Sequence, residues 1–215
     1  MATSFGNLKA LVVRLVADEI SPTASVISGM TTPSELLSDA ISAGLKAILP
    51  WVWKTATYPI IAAATDLDLP GDLYRIEGVY DDSLNAYLNE NIITAGLPFA
   101  SESGNMWIEY PEGHITFLDD LPDGGTLYYA AYWAEPKLDD EYIEAPPVVI
   151  PGLAFYAASY CLLPRATASA TLRQFNVKVD SGTPTENPIM DMSNAFMKRF
   201  EIEMGRVSSR AKGVK

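Results

Sequence analysis

The hydrophobic positions of the chain follow a helical period at both ends and an alternating period in the middle. One apolar helix face near the N-terminus consists of Leu8, Leu11, Val12, Leu15 and Val16. A second helix is predicted to begin at Thr32, an N-cap whose capping box is completed by Glu35, and to end at Pro50. Its apolar face consists of Leu36, Leu37, Ala40, Ile41, Leu45 and Ile48. The pattern therefore predicts two helices within residues 1–52.

Residues 53–146 have the pattern of short strands separated by turns. Strands are predicted at Arg75–Tyr80, Met106–Tyr110, Ile115–Leu118 and Thr126–Trp133. Thr55–Ala64 is interpreted as a strand or an extended segment, Leu84–Thr94 as short strand or irregular structure, and Asp81-Asp82-Ser83 as a hairpin tip. Because both faces of Thr126–Trp133 are apolar or amphipathic, we expect that strand to be central or covered on both sides.

The helical period returns after Pro146-Pro147. Helices are predicted over Val149–Leu163, Ala166–Val179 and Ile189–Val207, with Pro164 ending the first or beginning the second. Residues 208–215 are small and basic and are predicted to be flexible when the chain is alone. The apolar run Val148–Leu163 is shorter than the roughly 20 residues of a typical membrane span, so we interpret it as a buried helix.

These patterns predict an α+β fold. Helices from the two ends of the chain are expected to form a bundle, with an antiparallel β module inserted between them. The predicted divisions are the N-terminal helices of residues 1–52, the β module of residues 53–146, the C-terminal helices of residues 147–207 and the flexible basic tail of residues 208–215.

Charge is distributed unevenly along the chain, whose formal net charge is −12. Between Asp66 and Glu144 there are 18 acidic residues against two basic ones, whereas Lys198–Lys215 carries six basic residues and two acidic ones. The acidic middle should repel the phosphates of nucleic acid. The basic end is either a solvated terminus or a segment that docks into a partner and folds there.

Few residues are candidates for catalysis. His114 is the single histidine and lies in a predicted turn, and Cys161 is the single cysteine and lies in an apolar helix, where a thiol is normally inert. A nucleophile with a neighbouring base is not recognisable in the sequence, so we predict that the chain is not an enzyme. The lone cysteine cannot form an intramolecular disulfide, which favours a reducing compartment.

Three groups of acidic residues weakly resemble cation-binding loops. They are Asp66, Asp68 and Asp72 around Gly71, Asp119-Asp120, and Asp139-Asp140-Glu141. In the first group, Leu69-Pro70 occupies the place where an EF-hand loop needs a further ligand. Turn formation and solvation explain these acids better, and we predict neither a metal nor a cofactor.

The segment Leu69–Tyr80, with the sequence LPGDLYRIEGVY, carries a recognisable pattern. Leu69, Pro70, Asp72, Leu73, Arg75, Ile76 and Val79 match Leu-Pro-x-Asp-hydrophobic-x-Arg-Ile-x-x-Val. A β region and then an Ala/Tyr-rich helix containing Phe155–Tyr160 follow it. In these residues, and in the order of its elements over nearly its whole length, the chain resembles the head-to-tail adaptor (connector) proteins of tailed bacteriophages.

The resemblance implies a structural virion protein that binds the portal as an oligomeric, dodecameric ring. Such a protein extends the DNA channel and gives tail or neck proteins a platform. It would be assembled in the host cytoplasm and lie in the neck of the virion, without a membrane partner. DNA would pass an acidic channel without specific binding, because tight binding needs phosphate contacts. The portal-binding residues implied by the family's C-terminal segment are Phe196, Arg199, Phe200, Arg206, Arg210 and Lys212.

A function of another class remains open, namely a carbohydrate-binding or hydrolytic module built on the β insertion. Its platform would be Trp107, Tyr110, Tyr132 and Trp133. A broader set of aromatic residues comprises Trp51, Trp53, Tyr128, Tyr129, Tyr132 and Trp133, for which core packing or a subunit interface is the favoured interpretation.

Overall fold

The computed structural model of the chain describes residues 3–16, 33–90, 106–110, 113–180 and 187–213. Helices and sheets occur in separate units, which confirms the mixed α+β class. A helical unit comprises Met1–Val52 and Trp133–Lys215, and a β unit comprises Trp53–Tyr132. The predicted N-cap Thr32, most of the loop Asp180–Pro188 and the last four residues of Leu84–Thr94 lie outside the described residues.

The helical unit draws its core from both ends of the chain. Its helices in the described part are α1 (Phe5–Val16), α2 (Pro33–Ala47), α3 (Ile150–Asp180) and α4 (Pro188–Gly213), with a short 3-10 turn at Pro147–Val149. The predicted apolar positions Leu8, Val12 and Val16 of α1 are buried, but Leu11 is 37% exposed. Buried side chains of all four helices belong to one hydrophobic cluster.

Helix α3 is a single helix, so the prediction of two helices separated at Pro164 is wrong. A proline inside a helix removes one backbone hydrogen bond and costs about 3 kcal/mol. Cys161 and Leu162 before Pro164 and Ala166 after it are all buried. Burying one large apolar side chain contributes about 1.5–3 kcal/mol, so the apolar contacts on both sides offset the proline.

Helix α4 begins next to α3 and extends beyond its predicted end. Asn187 precedes it; its side-chain oxygen accepts from the Met190 N–H (3.3 Å), and its amide donates to the Ala166 carbonyl in α3 (2.9 Å). The helix continues to Gly213. Residues 208–213, predicted as part of a flexible tail, are therefore helical here.

Residues 133–146 belong to the helical unit, whereas the sequence pattern had assigned them to the β module. Their backbone pairs with the start of α1: the Phe5 N–H donates to the Glu141 carbonyl (2.8 Å) and the Ile143 N–H to the Thr3 carbonyl (3.0 Å). The side chains of Ile143 and Ala145 are buried in the helical core. The β unit accordingly ends at Tyr132.

One apolar stretch among the described residues, Pro147–Pro164, is long and apolar enough to cross a membrane by those two criteria alone. Within the structure 56% of this stretch is buried. A single stretch of this kind is also typical of the core helix of a folded unit. In this structure it forms the 3-10 turn and the first part of α3, within the helical core.

The described residues of the β unit form two four-stranded sheets. Its strands are β1 (Lys54–Ile60), β2 (Ala64–Asp68), β3 (Leu73–Asp81), β4 (Ala86–Tyr87), β5 (Asn89–Glu90), β6 (Met106–Tyr110), β7 (His114–Leu121) and β8 (Gly125–Ala131). The orders are β1-β8-β3-β4 and β2-β7-β6-β5. Strand β8 lies between β1 and β3, which confirms the predicted central position. All pairs are antiparallel except β5 with β6, which are parallel.

A second hydrophobic cluster lies in the β unit. It contains Ile60, Val79, Ile115, Phe117, Leu121, Leu127 and Tyr129, among others. Strand β8 contributes Leu127, Tyr129 and Ala131, which alternate along it as a strand requires. The other face of β8 therefore points away from this cluster.

The turn from β7 to β8 requires glycine at one position for two separate reasons. Gly124 has φ +78, and a Cβ built there would collide with the Ile60 carbonyl oxygen. Gly113 has φ +86, but a Cβ built there meets nothing within 4 Å. A side chain at Gly113 would therefore cause backbone strain alone, whereas a side chain at Gly124 would cause backbone strain and a steric collision.

We expect Gly113→Ala to lower the free energy of unfolding by about 1 kcal/mol, the cost of a left-handed residue. Gly124→Ala should lose a further ~1–3 kcal/mol, because the added methyl meets backbone that cannot rotate away. Urea denaturation of both variants measures this. Equal losses would contradict the close approach at Gly124.

Candidate interaction surfaces

The aromatic side chains of α4 pack inward. Phe200 is 4% exposed, and its ring makes edge contacts with Trp51 (5.6 Å between centroids) and Tyr156 (5.2 Å). Phe196 is half-buried and stacks on Phe155 with centroids 6.1 Å apart. Both phenylalanines, predicted to bind a portal, thus contribute to the helical core, and a partner would reach the Phe200 ring only if that core opened.

Two of the proposed cationic residues of α4 have described side chains, and both are exposed. Arg199 is exposed, with its guanidinium 5.7 Å from the centroid of Phe155. Arg206 is exposed and pairs with Glu203 one turn earlier at 2.6 Å. Arg210 and Lys212 lie in α4, but their side chains are outside the described part of the chain. A role for these cations in portal binding stays a prediction.

Two buried serines join α3 to α4, and the sequence pattern did not single them out. Ser193 Oγ donates to the Ser159 carbonyl (3.1 Å), and the two hydroxyl oxygens lie 2.9 Å apart. Both residues are at most 2% exposed. Buried hydroxyls need partners, so this pair fixes the register of α4 along α3. The sequence does hold one signal for this pair, because each serine is a single polar residue within an otherwise apolar helical pattern.

The outer face of the sheet β1-β8-β3-β4 is aromatic. Its members, here called the aromatic face, are Trp53, Tyr74, Tyr80, Tyr87, Tyr128 and Tyr132. The register explains part of this set: Tyr80 pairs with Tyr87 across β3 and β4, and Gly78 pairs with Tyr128 across β3 and β8. Paired residues point to the same side of a sheet. The alternation of β8 carries that side on to Tyr132.

Rings of the aromatic face contact one another. Tyr87 lies 5.2 Å from Tyr80 and 5.8 Å from Tyr128 between centroids, and Tyr74 lies 5.6 Å from Tyr132. A Cβ added at Gly78 would come within 3.2 Å of the Tyr87 ring, so glycine leaves room for that ring on the sheet. The ring contacts hold exposed side chains in fixed positions.

The Arg75 guanidinium lies on the same face between the two groups of tyrosines. It is 5.0 Å from the centroid of Trp53 and pairs with Glu77 at 2.6 Å. The cation is therefore compensated locally and adds no net charge to the face.

The segment Leu69–Tyr80 is held by bonds within the β unit. Asp72 accepts a hydrogen bond from the Tyr129 hydroxyl (3.0 Å), and its carbonyl accepts from the Tyr132 N–H (2.8 Å). The Leu69 N–H donates to the Gly113 carbonyl (2.9 Å). Burial, and then the bond to Asp72, raise the pKa of Tyr129 above its usual value. The carboxylate of the Pro-Gly-Asp turn thus has a structural partner.

Several of the acids in the three weak cation-loop candidates have protein partners, whereas the side chains of Asp119 and Asp120 lie outside the described part of the chain. Asp66 accepts from the hydroxyls of Thr65 (3.2 Å) and Thr116 (2.7 Å). Asp139 pairs with Lys9 at 2.9 Å. The described residues contain no group of three or more His, Cys, Asp or Glu side chains arranged to hold a metal ion.

Two residues of the sequence-derived aromatic platform separate in the structure. Tyr132 contacts Tyr74 in the β unit, whereas the Trp133 indole N–H donates to the Val52 carbonyl (3.3 Å) and packs on the helical core. The side chains of Trp107 and Tyr110 lie outside the described part. The aromatic face is a different set, visible only once the strand register is known.

A scan against protein-family models found no matching family, and a search of curated proteins found no match.

We expect Phe200→Ala to lower the free energy of unfolding by about 3–5 kcal/mol, because it removes a buried ring and leaves a cavity. Ile202→Ala, two residues away and 47% exposed, is the matched control and should change it by less than ~1 kcal/mol. Thermal and urea denaturation measure both. A small loss at Phe200 would mean that the aromatic contacts of α4 are loose.

The Cys161 thiol should be inert in the folded chain. Burial raises its pKa to about 12, so a thiol reagent at pH 8 should react only after denaturation. The unfolded thiol has an ordinary pKa near 9. It ionises first as pH rises, so the free energy of unfolding should fall between pH 9 and 12, by up to ~1.4 kcal/mol per unit. Cys161→Ala should flatten this dependence, and an unchanged slope would contradict the assignment.

Proposed function

We propose that the chain is a structural virion protein, a head-to-tail adaptor of tailed bacteriophages. In this proposal it binds the portal as an oligomeric ring, extends the DNA channel and gives tail or neck proteins an attachment platform. The helical unit is the bundle of the adaptor, and the β unit is the module inserted between the N-terminal and C-terminal helices. It performs no catalysis and lies in the neck of the virion.

The observation that carries the proposal is the separation of charge between the two units. The β unit, Trp53–Tyr132, contains 13 acidic and two basic residues, a net −11. The rest of the chain is therefore close to neutral at −1, given the total of −12. Lys198–Lys215, which spans the second half of α4, carries a net +4. An acidic unit and a basic end suit a protein that attaches at one end and repels DNA elsewhere.

The structure of α4 supports different roles for the cationic and the aromatic members of the proposed portal-binding residues. Arg199 is exposed and Arg206 is exposed but paired with Glu203, and the sequence adds Arg210 and Lys212 near the end of the helix. Phe196 and Phe200 act indirectly, because their rings hold the helix on the core. Attachment through such an end buries charge-assisted contacts rather than a large apolar area.

The carbohydrate-binding alternative has less support. Its proposed platform divides between the units, since Tyr132 and Trp133 have different neighbours.

We expect the purified chain, mixed with the purified portal ring of the same virion, to add a ring of density to it in electron micrographs. Mass measurement of the mixture should show several copies for each portal assembly. A chain that stays monomeric beside the portal and binds an oligosaccharide instead would overturn the proposal.

Removal of residues 208–215 should weaken portal attachment and leave the fold intact, because α4 remains anchored through Val207, Met204 and Phe200. The reversal Lys212→Glu should weaken it roughly fivefold, about 1 kcal/mol, and less at high salt. Lys137→Glu makes the same charge change at an exposed site of the helical unit and is the matched control. Equal effects of the two reversals would show that net charge alone matters.

A further inference from the structure

One part of the aromatic face, near the turns that follow β3 and precede β8, consists of tyrosine rings in mutual contact. Tyr80, Tyr87 and Tyr128, here called the tyrosine group, lie 5.2 and 5.8 Å apart through Tyr87, which is 62% exposed. Single exposed apolar residues are ordinary, but neighbouring exposed rings are typical of a binding surface, and tyrosine is enriched at protein interfaces. The ring contacts hold these side chains in place before a partner arrives, which lowers the entropy cost of binding.

Two exposed carboxylates lie beside the tyrosine group. Asp82 follows Tyr80 by two residues, which is roughly 7 Å along a strand, and Asp123 lies in the turn before β8. The Asp82 N–H donates to the Gly124 carbonyl (3.2 Å), so the two turns are neighbours. Asp82 and Asp123 are here called the acidic turns. Carboxylates and the electron-rich faces of aromatic rings both attract positive charge.

The positive charges of the β unit lie away from the acidic turns. Its sequence contains two basic residues, Lys54 and Arg75. Lys54 pairs with Ala131 at the opposite end of β8 from the turns. Arg75 pairs with Glu77 at 2.6 Å, so its charge is compensated locally. The surface around the tyrosine group is therefore aromatic and acidic, and it is complementary to a cation supplied from outside the β unit.

The contacts of Arg75 show which kind of cation this sheet accommodates. Its guanidinium lies 5.0 Å from the centroid of the Trp53 ring, and its Nε and Nη2 donate to Glu77 Oε1 (3.1 and 2.6 Å). Aromatic rings and an exposed carboxylate are also the two components of the tyrosine group with its acidic turns. A planar guanidinium stacks on a ring and pairs with a carboxylate at the same time, which a compact ammonium does less well.

We propose that the tyrosine group and the acidic turns bind an arginine-bearing segment of a partner protein. An arginine side chain of that segment stacks on Tyr87 and pairs with Asp82 or Asp123. Bases of a nucleic acid also stack on tyrosine, but the net charge of −11 on the β unit repels their phosphates. The same face of a second copy would bring like charges together. The inference goes beyond the proposed adaptor function and does not depend on it, because every residue involved lies in the β unit.

A fluorescent peptide of alternating arginine and glycine tests the site on the full chain by fluorescence anisotropy. We expect it to bind more tightly than the lysine peptide of the same length, and roughly tenfold more tightly than the citrulline peptide, which keeps the shape of arginine without its charge. Tyr87→Leu removes the ring but keeps an apolar side chain, so it should weaken binding of the arginine peptide at least about fivefold. Tyr87→Phe keeps the ring and should bind as the wild type does.

The acidic turns are tested by Asp82→Asn, which should weaken binding of the arginine peptide by a similar factor. Matched controls change the same residue types in the helical unit. Tyr142→Leu removes a ring that is 68% exposed, and Asp140→Asn removes an exposed carboxylate. Both controls should bind the peptide as the wild type does. All these side chains except that of Tyr80, which is unchanged, are exposed, so circular dichroism and thermal denaturation should match the wild type.

Several results would overturn the inference. Equal binding by Tyr87→Leu and Tyr142→Leu, or by Asp82→Asn and Asp140→Asn, would mean that net charge alone attracts the peptide. A wild-type chain that binds the arginine and citrulline peptides equally, or neither, has no such site. Self-association of the wild type that Tyr87→Leu abolishes, measured by sedimentation, would assign the face to a second copy. None of these results changes the adaptor proposal, which is tested by attachment to the portal.

Discussion

The packing of three helices on α3 is the constraint on which the helical unit depends. Small residues make this packing close: Ala154, Ala157 and Ala158 are buried, a Cβ at Gly152 would collide with the Met204 side chain, and one at Gly44 would collide with that of Leu153. The apolar stretch Pro147–Pro164 is therefore covered by neighbours from both ends of the chain. Because those neighbours are distant in sequence, the core cannot form until the whole β unit has been synthesised.

The second constraint is electrostatic. Nearly all the net negative charge lies in residues 53–132. Among the acids of this range whose side chains the structure describes, Asp81 is the one that is fully buried, and it accepts from the Ser83 and Leu84 N–H groups. Other described acids of this unit have local partners or solvent: Asp66 accepts from the Thr116 hydroxyl, Glu77 pairs with Arg75, and Asp82 and Asp123 are exposed in turns. The negative charge therefore destabilises the fold little. Its main effect is on which charged molecules can approach the surface.

Much of the fold follows from the local sequence pattern. The predictions that are wrong concern positions whose structure depends on contacts between residues distant in the sequence. Apolar period and turn residues located α1, α2 and β3, and they placed β8 at the centre of its sheet. The sequence predicts a helix boundary at Pro164, because the cost of a proline inside a helix is evident from the residue itself. The burial of Cys161 and Ala166 on either side, which offsets that cost, is not evident from the sequence. The aromatic face could not be found, since it requires the bulged register that sets Gly78 opposite Tyr128. Phe200 is a portal-binding candidate through the family resemblance alone, and a resemblance in sequence does not reveal that Trp51 and Tyr156 cover its ring.

Helix α4 shows how a core can fix the direction of an exposed surface. Its inner side is held by Phe200, Met204 and the Ser193–Ser159 pair, so the direction of its outer side is determined by the core. A surface held in place this way loses little conformational entropy on binding. Among the described side chains of α4, Val207 is the last that is buried. The portal attachment proposed above would use the basic end that follows it, so substitutions at that end should change attachment without disturbing the core.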